Sequence, residues 1–159
     1  LAGPCDIFAK RRLTARQLRS VAERRHGDAK CLLDSGDTER ANGAVYMAGF
    51  AIECLLKAML LDRHPNLGLK LDPAKLSATD RDVYTSLYGH DLDDMVAFLP
   101  ELRRKLSGLR TRSGRDLWLQ FQAICEQWTV YARYAPSLIK LEDAVRYLET
   151  VREVKQWLR

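Results

Sequence analysis

This chain lacks the residue groupings that most metal and cofactor enzymes require. Its four cysteines, Cys5, Cys31, Cys54 and Cys125, are widely separated and form no Cys-x-x-Cys pair, which argues against zinc ligation. Its three histidines, His26, His64 and His90, fall in different stretches, so a three-histidine metal site has no local support. There is no phosphate-binding glycine loop, no dinucleotide fingerprint, no His-Glu-x-x-His and no Gly-x-Ser-x-Gly. No metal and no cofactor is expected. No period-two alternation marks a strand, and neither internal repeats nor low-complexity segments occur. The longest apolar run, 44–61, is broken by Glu53 and Lys57 and is a poor membrane span, so no membrane partner is expected. The start of the chain has no secretory apolar region, and Cys31, Cys54 and Cys125 sit inside apolar helical patterns. Both features lead to the expectation of a cytoplasmic protein with reduced, buried thiols.

What is present is a helical period. The chain has 159 residues, 47% hydrophobic and 30% charged, enough apolar residue for one core and too much for disorder. The formal net charge of +5 permits an acidic partner such as RNA without requiring one. Residues 1–13 read as an N-terminal extension and 14–159 as a single domain. Thr14 is placed to cap a first helix to about Asp34, with Leu18, Val21, Ala22, Ala29, Leu32 and Leu33 inward and a bend expected at Gly27. The turn Ser35-Gly36-Asp37 stops it, and a second helix runs to about Asp62, ended by His64-Pro65-Asn66. After the connection 67–76, Ser77–Asp80 starts a short helix that Gly89 ends. His90-Asp91 opens another, broken or bent at Pro100. Arg103–Gly114 reads as a basic loop. A long helix follows from Asp116 to about Tyr134, and the last runs from Leu138 to Trp157 with Leu141, Ala144, Val145, Leu148, Val151, Val154 and Leu158 inward. The expectation is an all-α, up-and-down helical bundle of four main helices plus one or two short ones.

Three local features stand out from this framework. In the second helix, Tyr46, Gly49, Glu53 and Lys57 share a face, and the four-residue spacing lets Glu53 pair with Lys57 inside an apolar run. The bland alternative is a helix–helix contact through Gly49 with a partly exposed ion pair. The second feature is Gly89-His90-Asp91-Leu92, where His90 either packs against another helix or serves chemistry. The third is Trp128 followed by Arg133-Tyr134. Arg133 is either a helix-terminal charge that favours the helix dipole or an arginine available to a phosphate.

The order Tyr-x-Ala-Gly-Phe-Ala-Ile-Glu-Cys-x-Leu-Lys-Ala at 46–58, Gly-His-Asp-Leu at 89–92 and Trp-x-Val-x-x-Arg-Tyr at 128–134 resembles the HEPN superfamily (higher eukaryotes and prokaryotes nucleotide-binding). The likeness spans about Ala15 to Leu158. It implies a helical bundle that often forms a homodimer. It also implies RNA cleavage, toxin–antitoxin or phage-defence roles, sometimes beside a minimal nucleotidyltransferase. The family's ribonuclease signature is an arginine and a histidine with four to six residues between them. Counted from Arg133 the histidine would fall at Leu138, Ile139 or Lys140, and none is histidine. Arg19 and His26 have the spacing but lie in the first helix, outside the matching pattern.

Three readings follow. In the first, the chain binds RNA or a nucleotide, with Arg133 and Lys57 on phosphate and Tyr134 or Tyr46 offering a stacking face. Arg103, Arg104, Lys105, Arg110, Arg112 and Arg115 would extend the positive surface. In the second, it is a metal-independent endoribonuclease in which Arg133 and His90 are catalytic, His90 replacing the missing histidine. In the third, it is an interaction module whose Glu53, Lys57 and His90 form a structural polar network with Arg133.

Overall fold

The structure, a computed structural model, describes residues 14–68, 76–130, 134 and 139–159. Among them there are seven α-helices and no strand, so the all-α expectation holds. The helices are α1 (Ala15–Asp34), α2 (Ala41–Arg63), α3 (Ala78–Tyr88), α4 (Leu92–Ala97), α5 (Glu101–Leu106), α6 (Leu117–Gln127) and α7 (Leu141–Lys155).

Local chemistry accounts for most of these boundaries. Thr14 and Gln17 form a complete capping box at the start of α1, satisfying donors that the first turn leaves free. Ser77, Asp91 and Asp116 each accept a backbone N–H three residues ahead and start α3, α4 and α6. α1 runs through Gly27 without interruption, because a surface glycine weakens a helix by only about 1 kcal/mol.

α2 is the central element. It is buried almost all round, packing most extensively on α1 and then on α7 and α4. Arg19, near the start of α1, pairs with Asp62, near the end of α2, and Arg25 reaches Met47, so the two helices run antiparallel. α2 with its leading turn is long and apolar enough to cross a membrane, yet 67% of that window is buried by the rest of the chain. The main core joins residues of α1 to α7, including Ile52, Leu55, Leu56, Met95, Leu102, Phe121 and Val151.

Several sequence expectations need correction. The supposed basic loop is helical at its start: Glu101–Leu106 forms α5 because Leu102 and Leu106 bury one side, leaving Arg103, Arg104 and Lys105 exposed. Pro100 therefore precedes a helix, as its fixed φ allows, instead of only ending one. The long sixth helix stops at Gln127, since Trp128 turns to extended backbone (φ −81°, ψ 133°) to place its indole elsewhere. The last helix starts at Leu141, and Val145 faces solvent with 41% exposure while the side chain of Tyr147 packs inward. Residues 1–13 and Arg133 lie outside the described residues.

Candidate functional site

The polar face of α2 is assembled by residues from three distant segments. Gly49 is the first piece. A Cβ there would lie 2.0–2.4 Å from the Trp128 indole, so only glycine lets that ring lie against the helix. Trp128 is 5% exposed, and its Nε1–H donates to the Tyr46 carbonyl at 3.1 Å. The Tyr46 ring stacks on Trp128 (centroids 5.9 Å, 24°) and on Phe50 (6.3 Å, 18°). Tyr46 thus serves the packing of α2 on the end of α6. The contact at Gly49 is with an aromatic ring at a helix terminus, not with a second helix face.

One turn further along α2 lies Glu53, whose side chain is 1% exposed. Its Oε1 receives the Lys57 ammonium at 2.6 Å and His90 Nδ1 at 3.0 Å. Its Oε2 is buried and makes no hydrogen bond with any described residue. A buried carboxylate oxygen without a donor costs on the order of 1–3 kcal/mol, so its presence calls for an explanation beyond packing. Lys57 is itself only 13% exposed and is committed to Glu53.

Each residue of Gly89–Leu92 has a separate task. Gly89 closes α3 by donating to the Ser86 and Thr85 carbonyls. Asp91 caps α4, and Leu92 enters the core at 1% exposure. His90, held between these two fixed ends, turns one ring nitrogen onto Glu53 and leaves 54% of its side chain exposed. An ionised Glu53 accepts from Nδ1–H, so Nε2 becomes the ring's basic nitrogen. That atom has no hydrogen bond among the described residues. The structure therefore brings together Glu53, Lys57 and His90.

Of the three cysteines expected to be buried, Cys54 and Cys125 are, whereas Cys31 lies on the solvent side of α1. Burial, helped by the charge of Glu53, pushes the Cys54 thiol up to about 12, so it stays protonated. Burial likewise raises the Cys125 thiol and the Tyr147 phenol well above their ordinary values. No cluster of three or more metal-ligating side chains exists among the described residues.

The remaining predicted residues are dispersed. Tyr134 is 68% exposed, whereas the proposed pairing of Arg133 with His90 lies outside the described residues. The six basic residues between 103 and 115 are all exposed, on α5 and on the turn that follows it. Asn42 makes a contact that the sequence does not signal. Its Oδ1 accepts from the Ile139 N–H at 2.8 Å, tying the start of α2 to the approach to α7. No sequence period marks it, because its partner is 97 residues away. No family model, curated protein or solved structure matches this chain.

Proposed function

We propose that this chain is an HEPN-like module that binds RNA or a nucleotide, with His90 facing the ligand. The observation that supports this reading is the Glu53–His90 contact: a buried carboxylate orients a half-exposed imidazole at the junction of two capped helices. It joins two of the three segments that carry the family resemblance, and Trp128 on Gly49 joins the third. On this reading Lys57 balances Glu53 inside the site and does not meet phosphate directly, and Tyr46 supports the site through packing. Arg133 and Tyr134 remain the proposed phosphate and stacking groups. A homodimer, a minimal nucleotidyltransferase partner, a cytoplasmic setting and a toxin–antitoxin or defence role belong to the same proposal.

The binding test is fluorescence anisotropy with a labelled RNA hairpin and, separately, a labelled adenine nucleotide. Wild-type protein should bind at least one, and His90→Ala should weaken that binding about tenfold with an unchanged far-UV spectrum. A folded wild-type protein that binds neither would overturn the reading.

The same dyad favours a second reading, metal-independent RNA cleavage. His90 Nε2 would take the proton of a ribose 2′-hydroxyl as its oxygen attacks the adjacent phosphorus. The 5′-oxygen would leave with a proton from a second donor, giving a 2′,3′-cyclic phosphate and a 5′-hydroxyl end. Cutting of total RNA should then persist in EDTA and fall by about 10²-fold or more in His90→Ala, the usual range for a general base. Unchanged cleavage in that variant and in Arg133→Ala would remove this reading.

A further inference from the structure

Seven positive side chains spread over the described residues are neutralised. Arg19, Arg25, Arg40, Arg63, Arg146, Lys155 and Arg159 each meet a carboxylate. The stretch 103–115 instead gathers six cations within thirteen residues. Arg103, Arg104, Lys105, Arg110, Arg112 and Arg115 are all exposed, and none forms an ion pair with a described residue. The acidic residues that flank them are occupied elsewhere: Glu101 holds Arg63 at 2.6 Å, and Asp116 caps α6.

The turn that presents these charges is built and not merely solvated. Gly114 (φ +78°) allows the chain to fold back, and Arg110 and Asp116 form an isolated antiparallel bridge. Thr111 is 5% exposed and closes the turn, donating its N–H to the Arg115 carbonyl at 2.8 Å and accepting the Arg115 N–H on Oγ1 at 3.0 Å. The Arg115 Nε–H donates to Ser113 Oγ at 3.0 Å, which aims the guanidinium. The Arg112 N–H donates to Glu153 Oε2 at 3.0 Å and fastens the whole turn to α7.

Composition selects the occupant. Protein interfaces centre on apolar and aromatic anchors with charge depleted, and membrane-surface helices carry an apolar face beside the basic one. Among the described residues the exposed large hydrophobic side chains, Tyr88, Leu119, Tyr134, Val145 and Trp157, all lie outside 101–116. Five of the six cations are arginines, whose planar fork suits phosphate oxygens.

We propose that the segment Arg103–Arg115 is a docking surface for the phosphodiester backbone of RNA, contacting phosphates without reading bases. It rests on the RNA-binding reading above but shares no residue with the His90 centre.

The test is anisotropy of a labelled RNA hairpin titrated with protein across roughly 50 to 200 mM salt, where each neutralised phosphate contributes about 0.7–0.9 to the log–log slope. The triple variant Arg103→Gln, Arg104→Gln, Lys105→Gln should lower the slope by about two and weaken binding about tenfold or more at the low-salt end. The double variant Arg110→Gln, Arg112→Gln should lower it by roughly one to two, at about 0.8 for each phosphate left without its cation. A charge-matched control, Arg16→Gln, Lys30→Gln, Lys140→Gln, removes as many exposed cations from α1 and the start of α7 and should stay within about twofold of wild type. Equal weakening by the control, or an unchanged slope in both segment variants, would overturn the docking surface while leaving RNA binding intact. Absence of RNA binding by the wild type would overturn the RNA reading with it. Polyglutamate competing as well as RNA at equal charge would assign the surface to an acidic polypeptide instead.

Discussion

Lys57 and Lys155 look alike in isolation: they expose 13% and 7% of their side chains, and each ammonium rests on one carboxylate. The carboxylates are not alike. Glu23 is 46% exposed and has both oxygens engaged, Oε2 by Lys155 at 2.7 Å and Oε1 by Arg159 at 2.6 Å. Glu53 is 1% exposed, carries Lys57 and His90 on one oxygen, and has no described donor on the other. The first arrangement is complete and joins α1 to α7 at the surface, where water screens its charges. The second is closed in, has one oxygen without a donor among the described residues, and meets solvent chiefly through a histidine. A saturated ion pair staples two helices. A buried pair with a half-exposed imidazole is the one on which the proposed ligand site rests.

Removing each carboxylate tests that difference most strongly. Glu53→Ala should destabilise the protein by about 3 kcal/mol, because it leaves the Lys57 ammonium enclosed without a counter-charge. Glu23→Ala should cost about 1 kcal/mol or less, since the vacated surface admits water to Lys155. Equal losses in urea unfolding would abolish the distinction.

Gly49→Ala should cost on the order of 2 kcal/mol by driving a methyl group into the Trp128 indole. The shift should appear in tryptophan fluorescence and should lower ligand binding at His90 more than Glu23→Ala does. A silent substitution would show that the indole contact does not position the Glu53 face.

The smallest effect is a pH dependence at the surface pair. Burial raises the Glu23 pKa, but the hydrogen bonds and charges of Lys155 and Arg159 outweigh it and hold the carboxyl below its ordinary 4.5. Its stabilisation is therefore complete above that value and is lost as pH falls through the folded pKa. The loss should stay under about 1 kcal/mol for so exposed a group. Comparison of wild type with Glu23→Gln from about pH 6 to pH 3 should isolate it, and identical acid profiles would remove Glu23 as its source.

Much of the fold was legible because its signals are local. Thr14, Ser77, Asp91 and Asp116 cap helices through residues only three positions away, and the stop at Ser35–Asp37 lies within a single turn. The errors arose where a distant residue outcompeted local preference. Trp128 belongs by apolar period to α6, yet it leaves the helix because the groove at Gly49 takes its indole. α5 was hidden by its charges, since two buried leucines in a six-residue helix give too short a pattern to stand out. The Glu53–Lys57 pair could be read from one helical turn, but the arrival of His90 on the same oxygen could not.

The sequence by itself determined that this chain is helical, where most of its helices begin, and that a charged pair sits within its most apolar helix. Those properties depend on contacts within about four residues and on the balance of apolar and polar surface. Only the tertiary structure decided that His90 meets Glu53 across 37 residues, that Trp128 reaches the Tyr46 carbonyl across 82, and that Lys155 meets Glu23 across 132. Bringing such groups together costs chain entropy that no local pattern offsets, and the burial of a shared core supplies the compensating free energy.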